Sequence, residues 1–539
     1  VLAEVFDGAT PGVQQDLFEL GMDSIVAISL ANKARHLGVT PRMVLANPTI
    51  ELLAEAVDAG QFKPRAEASH DPDRFGEVTP LPILSWMYEH GNFRRFVQAP
   101  LIALPPNITE PQLQSLLQAL LDRHDMLRAQ LEVHDGDYRL TTRSPGVVRA
   151  VDILTRIHGP VDDTLNAHAH AVIDRIDPFA GAMVQALWCD DPDGGSLLVV
   201  MHHLATDALS WFVVMAGLAD GWEQLCAGEN PVLPGEYTTY REFARLLEQR
   251  SRRTEVAAQR DYWLAQLRGP DPALGSRMPD PRRDTWASLR LTMAHSEVTD
   301  TQLMLDKIAS AGANTGVREF LLAALTMTLT SWRIRRGDPL GDGLLVALEG
   351  HGREDELLES GGPGCAVDTS NTAGWFTTIF PVRLNYPGRP VDVDTARREP
   401  TAARLLLEAV TERIAAVPNN GLDYGLLRYQ RRNPDLVAAP HPQVQFNYVG
   451  RLDLTPQPEG CAPWTLITDP ARHTWLSRAP EPDLPLRYTF DVVPVVHPTA
   501  AGPQLVTSWR WSDRLSTESE ANQLAALWCD AVATLAAAL

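Results

Sequence analysis

The feature of this sequence that most constrains its fold is an alternation of two patterns that begins near residue 79. Amphipathic helical segments, such as 111–131 (PQLQSLLQALLDRHDMLRAQL), alternate with short runs rich in β-branched and aromatic residues. The β-rich runs are GSLLVVM (195–201), GLLVAL (343–348), PQVQFNYVG (442–450) and PLRYTFDVVPVV (485–496). This alternation predicts a layered α/β architecture and argues against a helical bundle.

The first 60 residues have a different pattern. Apolar residues recur there at three- and four-residue spacing, which predicts helices, in segments 2–6, 24–37 and 49–57. The polar, proline-punctuated stretch 61–78 is typical of a linker. We therefore predict a small all-α domain at 1–60, a linker at 61–78 and a larger domain from residue 79. A connector rich in proline and glycine within 251–284 predicts that the larger domain has two lobes, 79–255 and 256–539.

Charge and cysteine content argue against several classes of function. The 539 residues include 47 basic and 68 acidic side chains, and the net charge of −21 argues against binding to nucleic acid or to an anionic membrane. The five cysteines are scattered without a CxxC pair, so neither a disulfide framework nor a thiolate metal site is predicted. Lysines are few, which argues against a Schiff-base cofactor such as pyridoxal phosphate. No apolar run is long enough to cross a bilayer and no targeting pattern is visible, so we expect a cytoplasmic protein.

The segment LFELGMDSIVAISL, residues 17–30, places Ser24 at the start of an amphipathic helix. A serine in this position is most often a helix cap that satisfies free backbone N–H groups. Together with NPTIELLAEAV (47–57), however, the segment resembles the peptidyl carrier domains of nonribosomal peptide synthetases, with Met22 at the second glycine of their motif. The resemblance implies a four-helix fold in which Ser24 carries a 4′-phosphopantetheine arm.

The segment MHHLATDALSW, residues 201–211, brings two histidines to the end of a predicted strand. Histidine can act as a general acid or base near neutral pH, but two histidines and an aspartate also fit a metal site or a buried polar cluster. No HExxH-like helix supports a metal. The segment resembles the HHxxxDG motif of the condensation-domain superfamily, with Ala208 at the usual glycine. The resemblance implies an active-site His203, an aspartate that holds the loop through an arginine, and the supporting residues His202, Asp207, Ser210 and Trp211.

The segment LEGHGRE, residues 348–354, sets ionisable groups between glycines at the end of another predicted strand. Taken alone, it could be a solvated loop. Three further segments follow it along the chain: AGWFTTIFPVRL (373–384), GLDYGLLRY (421–429) and VQFNYVGRLD (444–453). Taken together and in this order, the four segments resemble the epimerization domains of the same synthetases. The resemblance implies two chloramphenicol-acetyltransferase-like lobes in a V, with the site between them.

The activity implied is epimerization, L to D, at Cα of an aminoacyl or peptidyl thioester on the arm of Ser24. Family resemblance points to Glu349 and His203 as the catalytic pair. A carboxylate in a partly apolar cleft has a raised pKa, which would make Glu349 the better base, and a protonated His203 could return the proton. Tyr448 is a further candidate, as a donor to the enolate oxygen. Arg353 and Asn447 are supporting residues, and no metal is implied.

Two other functions remain open on the residues alone. One is condensation-type amide or ester bond formation through His203, which explains the histidine pair but leaves Glu349 idle. The other is an inactive docking platform for a tailoring enzyme, which has no need of either residue. The partners implied are a phosphopantetheinyl transferase, an upstream adenylation domain and a downstream condensation domain of the same assembly line.

Overall fold

The structure is a computed structural model that describes most of the chain. Described are scattered residues between 12 and 44, residues 47–59, and residues 74–539 apart from 90, 160–162, 192–194, 311–315, 359–366, 386–387, 389, 452–462 and 468–480. No helix within these ranges is both long and apolar enough to span a lipid bilayer.

The small N-terminal domain is described only in part. Its helix α1 runs over Ile50–Asp58 and begins where the sequence predicts, because the Thr49 hydroxyl accepts a hydrogen bond from the Leu52 amide at 3.2 Å. Apolar side chains of α1 pack on a small core separate from that of the larger domain. The predicted attachment residue Ser24 and the segment 2–6 lie outside the described residues.

The strands of the described residues form three sheets. In chain order they are β1 (Gly76–Val78), β2 (Val97–Gln98), β3 (Leu101–Ala103), β4 (Gln130–His134), β5 (Asp137–Thr142), β6 (Leu154–His158), β7 (Val184–Asp190), β8 (Ser196–His202), β9 (Leu289–His295), β10 (Leu344–Gly350), β11 (Thr378–Leu384), β12 (Val444–Phe446), β13 (Gly450–Arg451), β14 (Phe490–Thr499) and β15 (Gly502–Ser512). The N-terminal lobe has the sheet β2–β8–β7–β6, with β3 also on β8. The C-terminal lobe has the sheet β11–β10–β12–β14–β15–β9, with β13 on β14. A small sheet has the order β1–β5–β4.

The helices of the larger domain cover these sheets. In chain order they are α2 (Pro82–Tyr88), α3 (Glu110–Arg123), α4 (Ala150–Ile153), α5 (Asp163–Asp174), α6 (Ala208–Cys226), α7 (Tyr240–Ser251), α8 (Thr254–Ala258), α9 (Arg260–Leu267), α10 (Val298–Ser310), α11 (Val317–Arg336), α12 (Val393–Ala396), α13 (Pro400–Ala415), α14 (Leu422–Gly425), α15 (Pro434–Ala438) and α16 (Glu518–Ala538). The predicted two-lobed α/β fold is confirmed. The predicted division after residue 255 falls within α8.

Strand β8 is apolar along most of its length because both of its faces are buried. Leu198 and Val200 face α5 in one core cluster, whereas Leu197 and Val199 face the main core. Successive side chains of a strand point to opposite faces, so a strand covered on both sides shows a continuous apolar run instead of an alternation. This burial positions the end of the strand, where His202 and His203 lie.

The parallel register of the C-terminal sheet places polar side chains on one face. Ala347 of β10 lies opposite Gln445 of β12, and Gln445 lies opposite Asp491 of β14. Because residues two apart share a face, Glu349 lies on the same face as Gln445 and Asp491. Arg510 of β15 is paired with Asp491 and extends this polar row.

A segment of the C-terminal part of the chain completes the edge of the N-terminal sheet. The Ala103 amide of β3 donates to the Thr465 carbonyl at 2.9 Å, and the Trp464 amide donates to the Ala103 carbonyl at 2.8 Å. The Ile467 amide donates to the Leu101 carbonyl at 2.9 Å. Residues 463–467, from the other half of the domain, therefore run along β3 and pair with it around the isolated antiparallel bridge between Ile102 and Leu466.

The C-terminal end of the predicted linker is corrected by the structure. The Arg74 guanidinium makes two hydrogen bonds to Asp125, at 3.0 and 2.9 Å, and β1 pairs with β5. Residues 74–78 therefore belong to the N-terminal lobe. A strand of three residues is too short to show a periodic pattern, and its neighbours in sequence are polar, so the segment resembled a linker.

A buried ion pair joins α7 to α14. The Arg250 guanidinium binds both carboxylate oxygens of Asp423, at 2.7 and 2.8 Å, and both side chains are buried. Asp423 also accepts hydrogen bonds from Gln259 and Asn419, at 2.7 and 2.6 Å. Asp423, the carboxylate that pairs with Arg250, thus belongs to segment 421–429, one of the segments that carry the family resemblance.

We expect Arg250→Met to lower the free energy of unfolding of the larger domain by about 3–5 kcal/mol, because it leaves the Asp423 carboxylate buried without its cation. Urea denaturation followed by tryptophan fluorescence measures the change. Arg252→Met is the matched control, because Arg252 pairs with Glu248 on the exposed side of the same helix end, and it should cost about 0–1 kcal/mol. Equal losses of unfolding free energy in the two variants would show that the buried pair contributes no more to stability than the exposed one.

Candidate functional site

The ring of His203 stands at the end of β8 between two aromatic side chains. Its backbone amide donates to the Phe96 carbonyl at 2.8 Å, which fixes the turn after the strand. Its ring stacks on Phe96 with centroids 5.2 Å apart and lies 4.2 Å from the Trp375 ring. Burial lowers the pKa of His203 to about 4, although nearby backbone carbonyls and Asp207 favour the charged form. The half-buried imidazole is therefore neutral near pH 7.

His202 is fully buried and uses both ring nitrogens to hold the backbone. Its Nδ1 accepts a hydrogen bond from the Leu204 amide at 3.1 Å, so its Nε2 carries the proton and donates to the Phe93 carbonyl at 3.0 Å. Burial lowers the pKa of His202 to about 3. The geometry fits the supporting role that the resemblance implies for this residue.

Asp207 caps helix α6 and links three segments of the chain. Its Oδ1 accepts hydrogen bonds from the amide and the hydroxyl of Ser210, both at 2.8 Å, and its Oδ2 accepts one from the Phe376 amide at 3.1 Å. The Ser210 hydroxyl also lies 3.0 Å from the Gly374 carbonyl oxygen. The loop after β8 is thereby attached to the segment that precedes β11.

Arg353 is the cation that meets Asp207. Its Nη2 lies 3.1 Å from Asp207 Oδ1, and its Nη1 donates to the carbonyls of Thr369 and Thr372 at 2.7 and 2.9 Å. The guanidinium also lies over the Phe376 ring, 4.0 Å from the centroid. This buried ion pair holds the loop that follows Glu349 and β10 against the loop after β8, which carries His203.

Gly352 allows the close approach of these segments. Its φ is +70°, and a Cβ at this position would lie 1.8 Å from the Phe376 carbonyl oxygen. Only glycine fits such a contact at a positive φ. The glycine therefore lets the chain turn directly after Glu349 and places Arg353 beside Asp207.

Glu349 is held by two amide side chains on the polar face of the C-terminal sheet. Gln445 donates to its Oε1, and Asn447 donates to its Oε2 at 2.7 Å. Burial raises the pKa of Glu349 to about 8, and the charge of Asp491 adds to this effect, while Gln445 and Arg510 oppose it. The carboxyl group is therefore mostly protonated near pH 7, in an orientation set by the two amides.

His351 and Glu354, the remaining ionisable groups of segment 348–354, have partners around the turn. The His351 Nδ1 accepts from the Arg353 amide at 3.0 Å, and its Nε2 lies 3.6 Å from Glu354 Oε1. Burial lowers the pKa of His351. Glu354 accepts a hydrogen bond from Asn420 at 3.1 Å. These contacts shape the turn and differ from the amide clamp around Glu349.

An aromatic path connects the surroundings of the two candidate catalytic residues. The ring of Trp375, which contacts His203, lies 6.3 Å from that of Trp86 in a T-shaped arrangement. The Trp86 side chain hydrogen-bonds to Tyr488, whose pKa is raised by burial and further by the charge of Glu349. Aromatic contacts thus run from His203 through Trp375 to Trp86 and on to Tyr488, which is close enough to Glu349 to sense its charge.

Five residues of the site were not among those predicted from the sequence: Phe96, Gln98, Gln445, Trp86 and Tyr488. The position of Gln445 could have been predicted, because it stands two residues before Asn447 in a β-rich run. Residues two apart in a strand lie on the same face of the sheet. Gln98 is likewise a polar residue within a short β-rich run.

Tyr448, predicted as a donor, is half-buried beside Asn447, and its catalytic role stays a prediction. Within the described ranges, no group of three or more His, Cys, Asp and Glu side chains could hold a metal ion.

Comparison with known proteins identifies two domains. Residues 86–459 match the condensation-domain family, and residues 1–57 match the phosphopantetheine attachment site. The second match indicates 4′-phosphopantetheine as the prosthetic group of this chain. Ser24 falls in this range but outside the described residues, so its place as the attachment residue stays a prediction.

Similar proteins agree with this assignment. The chain is 28% identical over 527 residues to a linear gramicidin synthase from Brevibacillus parabrevis, covering 94% of this chain but 9% of that protein. It is 30% identical over 458 residues to chondramide synthase of Chondromyces crocatus, covering 82% of this chain and 11% of that protein. The chain thus spans only a small part of the length of these relatives.

Solved structures show the same fold. The epimerization domain from the third module of tyrocidine synthetase B superimposes with a TM-score of 0.68 at 20% identity, over 86% of this chain and 98% of that one. The X-domain from teicoplanin biosynthesis gives a TM-score of 0.62 at 17% identity, over 87% and 97%. With the family matches, these likenesses lead to one conclusion: the chain belongs to the condensation-domain family of nonribosomal peptide synthetases and carries a phosphopantetheine attachment domain ahead of it.

Proposed function

We propose that this chain inverts the Cα centre of an aminoacyl or peptidyl thioester carried on the phosphopantetheine of its own N-terminal domain. One observation carries the proposal: the Glu349 carboxyl group is clamped by Gln445 and Asn447 at the end of β10, and the Asp207–Arg353 pair holds its loop against that of His203. Amide or ester bond formation that uses only His203 does not require the Glu349 carboxyl group. The structural likeness to an epimerization domain supports the same activity.

The reaction needs one proton removed from Cα and one delivered to the opposite face. The thioester carbonyl makes the Cα proton removable, because it delocalises the resulting negative charge as an enolate. Protein groups on opposite sides of the substrate can then exchange protons with Cα without rotating it. His203 comes from the N-terminal lobe and Glu349 from the C-terminal lobe, which suits an approach from two sides.

The two pKa values suggest how protons are distributed before the reaction. Between about pH 4 and pH 8, His203 is neutral and Glu349 is protonated, so the carboxyl group can donate a proton and the imidazole can accept one. In this state His203 can accept the Cα proton while the Glu349 carboxyl group donates its proton to the other face, which leaves imidazolium and carboxylate. The reverse reaction starts from that second state. The sequence favours Glu349 as the base, whereas these pKa values favour it as the first acid.

We expect the loaded chain to incorporate deuterium at Cα in deuterated water and to yield the D-residue after hydrolysis of the thioester. Glu349→Gln and His203→Ala should each lower the exchange rate by about 10²–10⁴-fold, the usual contribution of a general acid or base. Mass spectrometry of the released amino acid, with chiral chromatography, measures both quantities. Absence of deuterium and of D-residue with the unmodified chain would contradict the proposal.

Glu354→Gln is the matched control for Glu349→Gln. It removes a carboxylate from the same loop, but one whose partners are Asn420 and His351. The exchange rate of this variant should stay within about tenfold of that of the unmodified chain. Equal losses in the two glutamine variants would show that loop integrity, and not the Glu349 carboxyl group, determines the rate.

The pH dependence of exchange should show the two pKa values. We expect the rate to fall below about pH 4, where His203 gains a proton, and above about pH 8, where Glu349 loses its proton. Asp491→Asn removes a negative charge that raises the pKa of Glu349, so the fall on the basic side should move to lower pH. Asp513→Asn is the control, because Asp513 pairs with Arg290 at the surface. A basic limb that does not move in Asp491→Asn would contradict this assignment of Glu349.

Condensation-type bond formation is the second candidate function, favoured by the family match itself and by the intact histidine pair. Supplying a second acceptor-loaded carrier and observing an amide or ester product would support it. The partners we propose are a phosphopantetheinyl transferase, an adenylation domain that loads the carrier, and a condensation domain that takes the product.

A further inference from the structure

A glutamine and a tryptophan adjoin the catalytic candidate His203. The Trp211 indole Nε1 donates to the Gln98 Oε1 at 2.6 Å, and the Gln98 Nε2 lies 3.1 Å from His203 Nε2. Trp211 is buried at the start of α6, and Gln98 is at the end of β2, beside Phe96, whose ring stacks on His203. The three side chains form one hydrogen-bonded row from helix to sheet to the reacting ring.

The chemistry of these groups fixes the direction of each hydrogen bond. An indole N–H can only donate, so the amide oxygen of Gln98 must face Trp211 and its NH₂ group must face His203. The NH₂ group can only donate, so Nε2 of His203 must be the acceptor. A neutral imidazole that accepts at Nε2 carries its proton at Nδ1.

The same geometry disfavours a charged ring. A proton on Nε2 would point at the Gln98 NH₂ group, which has no lone pair to receive it. Turning the amide over would relieve that contact but would set its NH₂ group against the Trp211 N–H. Either arrangement leaves two donors facing each other, and a buried donor without an acceptor is costly.

We propose that Gln98, oriented by Trp211, is a positioning residue that keeps His203 as the neutral Nδ1–H tautomer with an unprotonated Nε2. The catalytic importance of this tautomer rests on the proposed epimerase function, but the tautomer itself can be measured without any activity assay. Its consequence is that Nε2 is the basic atom of the resting ring, and that the Gln98 hydrogen bond must yield when Nε2 accepts a proton.

The other charged groups near the ring do not impose this state. Asp207 favours the imidazolium, and the neighbouring His202 has a pKa lowered by burial to about 3 and is neutral. Phe96 and Trp375, the two rings in contact with His203, carry no charge. Backbone carbonyls of His203 and Thr206 also attract the ring proton, and Gln98 is the side chain whose hydrogen bond directs that proton away from Nε2.

The test is ¹⁵N NMR of the full chain labelled at histidine, with the His203 signals assigned by their loss in His203→Gln. In the unmodified chain near pH 7, we expect a pyridine-type Nε2 and a pyrrole-type Nδ1. Gln98→Glu should reverse the pattern and raise the pKa of His203 by about 1 to 3, because a carboxylate can accept from both Trp211 and a protonated Nε2. Trp211→Phe should also raise the pKa of His203, because the amide of Gln98 is then free to turn its oxygen to the ring.

Two controls separate this role from a structural one. Gln302→Glu adds the same charge on the exposed face of α10, and Trp222→Phe makes the same ring change at a tryptophan that packs on Trp464. Neither should alter the His203 tautomer. A proton on Nε2 in the unmodified chain, or a His203 pKa unchanged in both Gln98→Glu and Trp211→Phe, would overturn the inference.

The activity measurement keeps the two proposals distinct. In the deuterium-exchange assay, Gln98→Glu should move the acidic limb of the pH profile upward together with the His203 pKa. If the NMR result is as expected but the unmodified chain exchanges no deuterium, the positioning role stands and the epimerase proposal fails. If exchange occurs but the tautomer does not depend on Gln98, the epimerase proposal stands and this inference fails.

Discussion

The buried ion pair between Asp207 and Arg353 is the interaction on which the arrangement of the site depends. Removing both charges from water costs free energy, and such a pair is stable only when further hydrogen bonds satisfy each partner. Asp207 has the amide and hydroxyl of Ser210 and the Phe376 amide, and Arg353 has two backbone carbonyls and an aromatic face. The pair therefore joins two loops from different lobes beside His203.

Burial affects the two catalytic candidates in opposite directions. Burial favours the neutral form of any titratable group, so it lowers the pKa of an imidazole and raises that of a carboxyl group. For His203 and Glu349 the result is a base and an acid that coexist at one pH. Two like groups in the same surroundings would both be protonated or both be unprotonated. The choice of one histidine and one glutamate thus has a physical reason that does not depend on the substrate.

The parts of the site that could be predicted from the sequence are those that lie at the ends of buried strands. The apolar run of β8 ends in the histidine pair, and that of β10 ends in Glu349, so local pattern and family motif agreed. The partners of these residues could not be predicted, because Gln98 meets His203 across 105 residues and Gln445 meets Glu349 across 96. Such contacts depend on strand register and lobe packing. The short strand β1 could not be predicted for a local reason, because three residues are too few to show the alternation of apolar and polar side chains that marks a strand.

The pairing of residues 463–467 with β3 also determines how this chain can be divided. A fragment that ended at the predicted division after residue 255 would lack the segment that covers β3 and would leave the backbone groups of Leu101 and Ala103 that bind it without these partners. Open sheet edges of this kind recruit strands from other molecules. Any division or recombination of this chain therefore has to keep the two lobes together, because the later part of the chain protects the earlier part from self-association.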